Sequence, residues 1–208
     1  MGKLVVVLAL ILSPALAAAA TPSEGVPLKV RRGFFTETGI GGFFTVGGDN
    51  QYSNLQSYLQ LGAGYQFSFG ANEENSVPIG LHVGIGANAA NCHAGLTKAL
   101  ECSQSDNFTI TFITLSGGFM RSIAERFYVG GKLLVGYTLL DPPPQVDAAG
   151  NSFNKGINVG LALGVEYATN MDHFAIGVDA GWRMIIPFGV EANLIQSLHF
   201  LVRVKYTF

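Results

Sequence analysis

Seven ionisable side chains stand in segments that are otherwise strongly apolar: Glu37, Lys132, Glu166, Asp179, Arg183, Arg203 and Lys205. All but Glu37, which stands between Thr36 and Thr38, have a bulky apolar residue beside them. If these segments are strands, the charges share the face turned away from those neighbours. Four cations and three carboxylates in one interior could pass an ion or a proton, or they could pair and fill the space. Buried charge is tolerated only when paired, and a narrow barrel lumen is normally filled by side chains. The structural plug is therefore the favoured reading, with Glu37, Arg203, Lys205 and Asp179 expected to bridge a closing seam.

Hydrolase chemistry has weaker support. His173 beside Asp172, and His199 near Ser197, supply the residue types of a Ser–His–acid triad. A triad needs its three members in mutual hydrogen-bond reach, and these two pairs belong at opposite ends of their segments. Gly84-Ile-Gly86-Ala-Asn-Ala matches part of a dinucleotide fingerprint, but no helix follows it, so the context is missing. His82, His93, His173 and His199 lie on different segments without metal-ligand spacing. No catalytic residue, cofactor or metal is expected. Twelve basic against 14 acidic residues give no basic surface for nucleic acid.

The segments that position these groups read as eight strands. Residues 56–69 set Leu59, Leu61, Ala63, Tyr65, Phe67 and Phe69 against Gln56, Gln60, Gly62, Gly64, Gln66 and Ser68. Residues 78–90, 126–139, 156–168, 173–186 and 197–208 alternate in the same way, and residues 33–46 do so less regularly. In residues 107–120 the apolar row begins with Phe108, Ile110 and Phe112, then changes phase. A bulge is expected near Ile113. Each segment is long enough for a tilted strand to cross a bilayer, which needs about 9–11 residues.

The N-terminus points to export. Lys3, the apolar run Leu4–Leu12, Pro14 and the alanines 15–20 form a signal-peptide pattern. Residues 1–20 are thus expected to be removed, 21–32 to form a periplasmic N-terminal segment, and 33–208 to form the domain. Glycine contributes 27 of 208 residues and charged residues only 12%. An exported, greasy chain whose remaining apolar stretches are all interrupted by polar residues or glycine suits an all-β, eight-stranded antiparallel up-and-down transmembrane barrel. A soluble ligand-carrying barrel would turn its apolar row inward. Here that row is Phe, Leu, Ile, Val, Tyr and Trp, while the other is rich in Gly, which suits a lumen lined by small and polar residues.

Connections 47–55, 91–106, 140–155 and 187–196 are long, and 70–77, 121–125 and 169–172 shorter. Short turns lie on the periplasmic side of such barrels, so both termini are expected there. Phe34, Phe127, Tyr167, Phe174, Tyr206 and Phe208 would then form the lower aromatic girdle, with Tyr137 and Trp182 above. Cys92 and Cys102, the only cysteines, share one long connection. In an oxidising compartment a disulfide is expected, contributing roughly 2–3 kcal/mol. Asp141-Pro142-Pro143-Pro144 would stiffen the next long connection.

Two stretches carry a resemblance. Tyr206-Thr-Phe208 looks like the C-terminal signal, built on Tyr206 and Phe208, by which outer-membrane assembly machinery recognises its barrels. Gly33-Phe-Phe-Thr-Glu-Thr-Gly-Ile-Gly-Gly-Phe-Phe-Thr-Val-Gly-Gly-Asp49, with Leu59-Gln-Leu-Gly-Ala-Gly-Tyr65, resembles the small barrel of the adventurous gliding motility apparatus of myxobacteria. That resemblance implies a non-enzymatic scaffold in the outer membrane of a Gram-negative bacterium. Its partners would be outer-membrane lipid and the outer-membrane and periplasmic proteins that couple a motor to surface adhesion. A lipid-modifying enzyme and a narrow channel are the alternatives.

Overall fold

In a computed structural model, the described residues are 31–46, 55–70, 73–94, 100–141, 154–171, 173–188 and 194–208, without the side chains of Val46 and residues 87–108. They form eight strands: β1 (Gly33–Val46), β2 (Gln56–Phe69), β3 (Asn75–Ala94), β4 (Leu100–Ala124), β5 (Phe127–Asp141), β6 (Lys155–Ala168), β7 (Phe174–Pro187) and β8 (Ile195–Thr207). Each pairs antiparallel with its sequence neighbours, and β1 pairs with β8 from Phe35↔Thr207 to Val46↔Gln196. The sheet is thus a closed barrel in which no strand lacks a neighbour on either side. Signal peptide, Asp172 and the three prolines after Asp141 lie outside the described residues.

Alternation decides which face each side chain takes. Leu163 is 72% exposed and Leu133 63%, and Leu61, Leu81, Leu115, Val135, Leu161, Val178, Phe200 and Val202 join them in an outward belt. Such a belt around a closed sheet is stable only against lipid. The aromatic rows also form. At the terminal end, where β1 begins and β8 ends, Phe34 meets Tyr65 edge-on, Phe127 contacts Tyr167, and Tyr206 lies between Phe174 and Phe208. Near the other end, Tyr137 contacts Phe188, and Trp182 Nε1 donates to Gln196 Oε1 at 3.1 Å.

Connections at the terminal end are residues 70–74, 125–126 and 169–173, and those at the distal end are 47–55, 95–99, 142–154 and 188–194. The long second connection is shorter than the sequence pattern implied, because β3 and β4 continue as a two-stranded ribbon to Ala94 and Leu100. Within this ribbon Cys92 stands directly opposite Cys102 in the backbone register. At the seam Gly33 adopts φ 144°, and a Cβ there would overlap the Phe208 carbonyl oxygen. Phe208 N donates to Phe34 O at 2.7 Å, so only a residue without a side chain lets the start of β1 meet Phe208.

The expected bulge near Ile113 does not exist. Pairing of β3 with β4 is unbroken from Ile79↔Gly117 to Gly86↔Ile110, and the register shifts lie beyond, between Gly86 and Asn91. Ile110 and Phe112 are buried in the lumen, while Ile113 and Leu115 face outward. What looked like a lipid row changing phase is an inward apolar pair followed by the outward row. The physical reason is that the lumen has an apolar layer of its own. Phe43, Tyr58, Ile110, Phe112, Leu140, Ile185, Ile195 and Leu201 form one buried cluster in the distal half.

Inward glycines therefore do not leave the lumen open. A Cβ at Gly84 would overlap the Tyr58 ring, one at Gly86 the Phe43 ring, and one at Gly62 the His82 ring. Each glycine is the space into which a large side chain is packed, from the adjacent strand at Gly84 and Gly62 and from β1, two strands away, at Gly86. An eight-stranded barrel is just wide enough to be filled in this way.

Candidate functional site

The charged layer occupies the terminal half of the lumen, below the apolar layer. Its centre is Glu166 on β6, which is 1% exposed. Lys205 Nζ donates to both of its carboxylate oxygens, at 2.7 and 2.8 Å, and Arg203 Nη1 donates to Oε2 at 2.7 Å. Arg203 Nε also donates to Asp179 Oδ2 at 3.0 Å, and Lys132 Nζ to the same oxygen at 2.8 Å. Lys205 Nζ makes a further bond to Gln66 Oε1 at 2.8 Å. Cations from β5 and β8 thus meet carboxylates from β1, β6 and β7.

Of the seven charged residues singled out by alternation, Glu37, Lys132, Glu166, Asp179, Arg203 and Lys205 come together. The expected seam linkage forms in part. Arg203 bridges Asp179 and Glu37, but the Glu37 contact is long at 3.5 Å. Lys205, opposite Glu37 in the register, turns to Glu166 instead. The contact spans β7, which lies between β6 and β8: Gly177 stands opposite both Glu166 and Arg203, and with no side chain there the β8 cations reach Glu166 over the same wall.

Arg183 does not join the cluster. Its Nη1 donates to Thr114 Oγ1 at 2.8 Å and its Nη2 to Tyr58 Oη at 3.4 Å, and its guanidinium lies 4.6 Å from the centre of the Phe112 ring. No carboxylate pairs with it among the described residues.

A further member of the cluster carries no alternation signal. Arg31 precedes β1, yet it is 3% exposed because it turns into the terminal mouth of the barrel. It pairs with Glu166 through Nη1, reaches Ser76 Oγ through Nη2 at 3.4 Å, and stacks 3.5 Å above the Tyr128 ring. Ser68 Oγ donates to its backbone carbonyl at 2.8 Å. The segment ahead of the barrel is therefore tied, at its last residues, to β2, β3, β5 and β6.

His82 was legible as an inward residue but not as part of a chain of contacts. Its Nε2 lies 2.7 Å from Ser116 Oγ and its Nδ1 3.2 Å from Glu37 Oε1. These are the residue types and order of a charge relay. The last link is poorly aligned, since Glu37 Oε1 accepts no hydrogen bond, and Gln60 Nε2 approaches the same ring nitrogen at 3.4 Å. The two chambers beside Ser116 each measure ≈ 10 Å³, room for about one water and not for an acyl chain. The earlier triad candidates do not assemble. Ser197 Oγ has no hydrogen-bond partner, and His173 Nδ1 lies 2.6 Å from the Thr207 carbonyl.

A much larger concavity, ≈ 970 Å³, lies on the outside among Ile79, Phe119, Leu133, Leu161, Trp182 and Phe200. It belongs to the lipid-facing belt. Cys92 and Cys102 lie far from the charged layer, in the distal ribbon.

Closure, antiparallel neighbour pairing and the apolar belt define the class. The chain is an eight-stranded outer-membrane β-barrel, and a Gram-negative outer membrane is the bilayer in which such barrels reside. Its fold is similar to that of Neisserial surface protein A, with a TM-score of 0.52 and 14% identity over 84% of this chain and 97% of that one. Ail, the attachment invasion locus protein of Yersinia pestis, gives a TM-score of 0.45 and 12% identity over 85% and 99%. OprG of Pseudomonas aeruginosa gives 0.42 and 18% over 86% and 97%. No family model matches the sequence, and no curated protein is detectably similar to it.

Proposed function

We propose that this chain is a closed, non-enzymatic barrel serving as a structural or scaffolding component of an envelope complex, with both termini in the periplasm. The carrying observation is a lumen that the described side chains fill in stacked layers. Arg31 stands at the terminal mouth, the carboxylate cluster above it, and the apolar layer around Tyr58 and Phe112 above that. Such an interior favours a rigid body over a conduit, and leaves the outer surface and the distal ribbon for partners. The complex to which the resemblance of the opening strands points is the adventurous gliding apparatus. Its partners would be assembly machinery recognising Tyr206 and Phe208, and other outer-membrane and periplasmic motility proteins. A Cys92–Cys102 disulfide would clamp the ribbon, a reading supported by their opposed register.

The test is affinity purification from gently solubilised membranes, with a motility assay on the deletion strain. Co-purifying envelope proteins and lost gliding support the scaffold. Recovery of the barrel alone, with motility unchanged, refutes it. Planar-bilayer recording addresses the lumen separately, and steady unitary conductance is incompatible with a filled interior.

The contact between Ser116 and His82 favours a second reading, a lipid-modifying enzyme whose lumen opens to admit substrate. A serine-directed fluorophosphonate that labels the folded protein, but not Ser116→Ala, would establish that reading in place of the first.

A further inference from the structure

Among the described residues the lumen holds five cationic side chains, Arg31, Lys132, Arg183, Arg203 and Lys205, against three carboxylates. Within the cluster, four cations share those carboxylates. Arg183 is 2% exposed, its two terminal nitrogens bond only to neutral oxygens, and its Nε has no hydrogen-bond partner. A buried charge without a counter-charge is costly enough that proteins normally supply one. No carboxylate among the described residues does so.

Arg183 lines a chamber of ≈ 10 Å³ together with Lys132, His82, His199, Thr114 and Ser116 among others. We propose that it is a binding site for one small monovalent anion, chloride in ordinary media. Arg183 and Lys132 give its wall a positive potential, and Thr114, Ser116 and Gln60 supply polar edges. Asp179 also lines the chamber; Lys132 and Arg203 hold its Oδ2, while its Oδ1 is buried without a hydrogen-bond partner and fills the space that a side chain at Gly164 would take.

Size sets the selectivity. The space is about that of one water, so a chloride enters with a small outward shift of its lining, while phosphate, sulfate and carboxylates are too large. The apolar layer stands on the distal side, and His82, Ser116 and Lys132 separate the chamber from its neighbour on the terminal side. The anion is thus a fixed counter-charge and not a permeating ion. The site stands whether or not the barrel serves as a scaffold.

The test is urea unfolding of the folded protein in detergent micelles, with chloride replacing gluconate at constant ionic strength. Once the site is saturated, each ten-fold rise in chloride should lower the unfolding equilibrium constant about ten-fold. Arg183→Met should remove that dependence. Because Arg183→Met could fail to fold, crystals of the native protein grown in bromide form the second arm, with an anomalous peak expected beside Arg183 Nε. Unfolding insensitive to chloride, a dependence that survives Arg183→Met, or a chamber holding water and no bromide would each overturn the proposal.

Discussion

Glu166→Gln is the most direct test of how the lumen is held together. The substitution keeps the shape of the side chain and removes its charge. In the native barrel that charge faces Arg31, Arg203 and Lys205, all within hydrogen-bond distance and all at most 4% exposed. Removing one partner of a buried pair typically costs about 3–5 kcal/mol, because the other partner stays buried and uncompensated. Three cations cannot all turn to Asp179 and Glu37, since Lys132 and Arg203 already occupy Asp179. A loss of at least about 3 kcal/mol is therefore expected. With a urea slope of about 2 kcal/mol/M, the unfolding midpoint falls by roughly 1.5 M or more. Trp182, the single tryptophan, faces the lipid belt and reports the transition by fluorescence in micelles. Glu74→Gln at an exposed position is the control and should stay within about 0.5 kcal/mol of wild type. Adding Lys205→Met to Glu166→Gln should recover part of the loss, because it removes a cation left without a partner. If Glu166→Gln unfolds within about 0.5 kcal/mol of wild type, the cluster is not what holds the interior.

Other outcomes separate the two faces of the wall. Gly84→Ala drives a methyl into the Tyr58 ring and should destabilise the barrel by about 1–3 kcal/mol in the same unfolding assay. Gly117→Ala meets no atom within 4 Å and should be neutral or stabilising by about 0.5–1 kcal/mol. Phe208→Ala, at a residue 64% exposed, should lower the amount inserted in cells while leaving the refolded barrel within about 1 kcal/mol of wild type; heat-modifiable gel mobility of membrane and refolded samples distinguishes the two effects. Cys92 and Cys102 should resist a maleimide reagent until a reductant is added, and immediate labelling of the untreated protein would show free thiols.

The sequence by itself determined the strand number, the outward face of nearly every strand and the inward placement of the charges. A period of two is a local property, and a lipid belt demands apolar side chains at every outward position, so the pattern survives without knowledge of the partners. It misled at Ile110 and Phe112, because apolar side chains at inward positions carry the same letters as apolar side chains at outward ones. Only closure of the sheet shows that the distal lumen has an apolar core of its own.

The same limit explains the charges. Alternation placed Glu37, Glu166, Asp179, Arg203 and Lys205 inside, but not which of them meet. Neighbour register at the seam would join Lys205 to Glu37, and it instead reaches over β7 to Glu166. Arg31 stood outside every periodic segment and enters the cluster from the residues just ahead of β1. Arg183 looked like one more member of the ion-pair set, and its surroundings instead are Thr114, Tyr58 and Phe112. Facing is written in the spacing of residues along one strand. Contact across a lumen is fixed by how eight strands are tilted and staggered when the sheet closes, a quantity that no single strand contains.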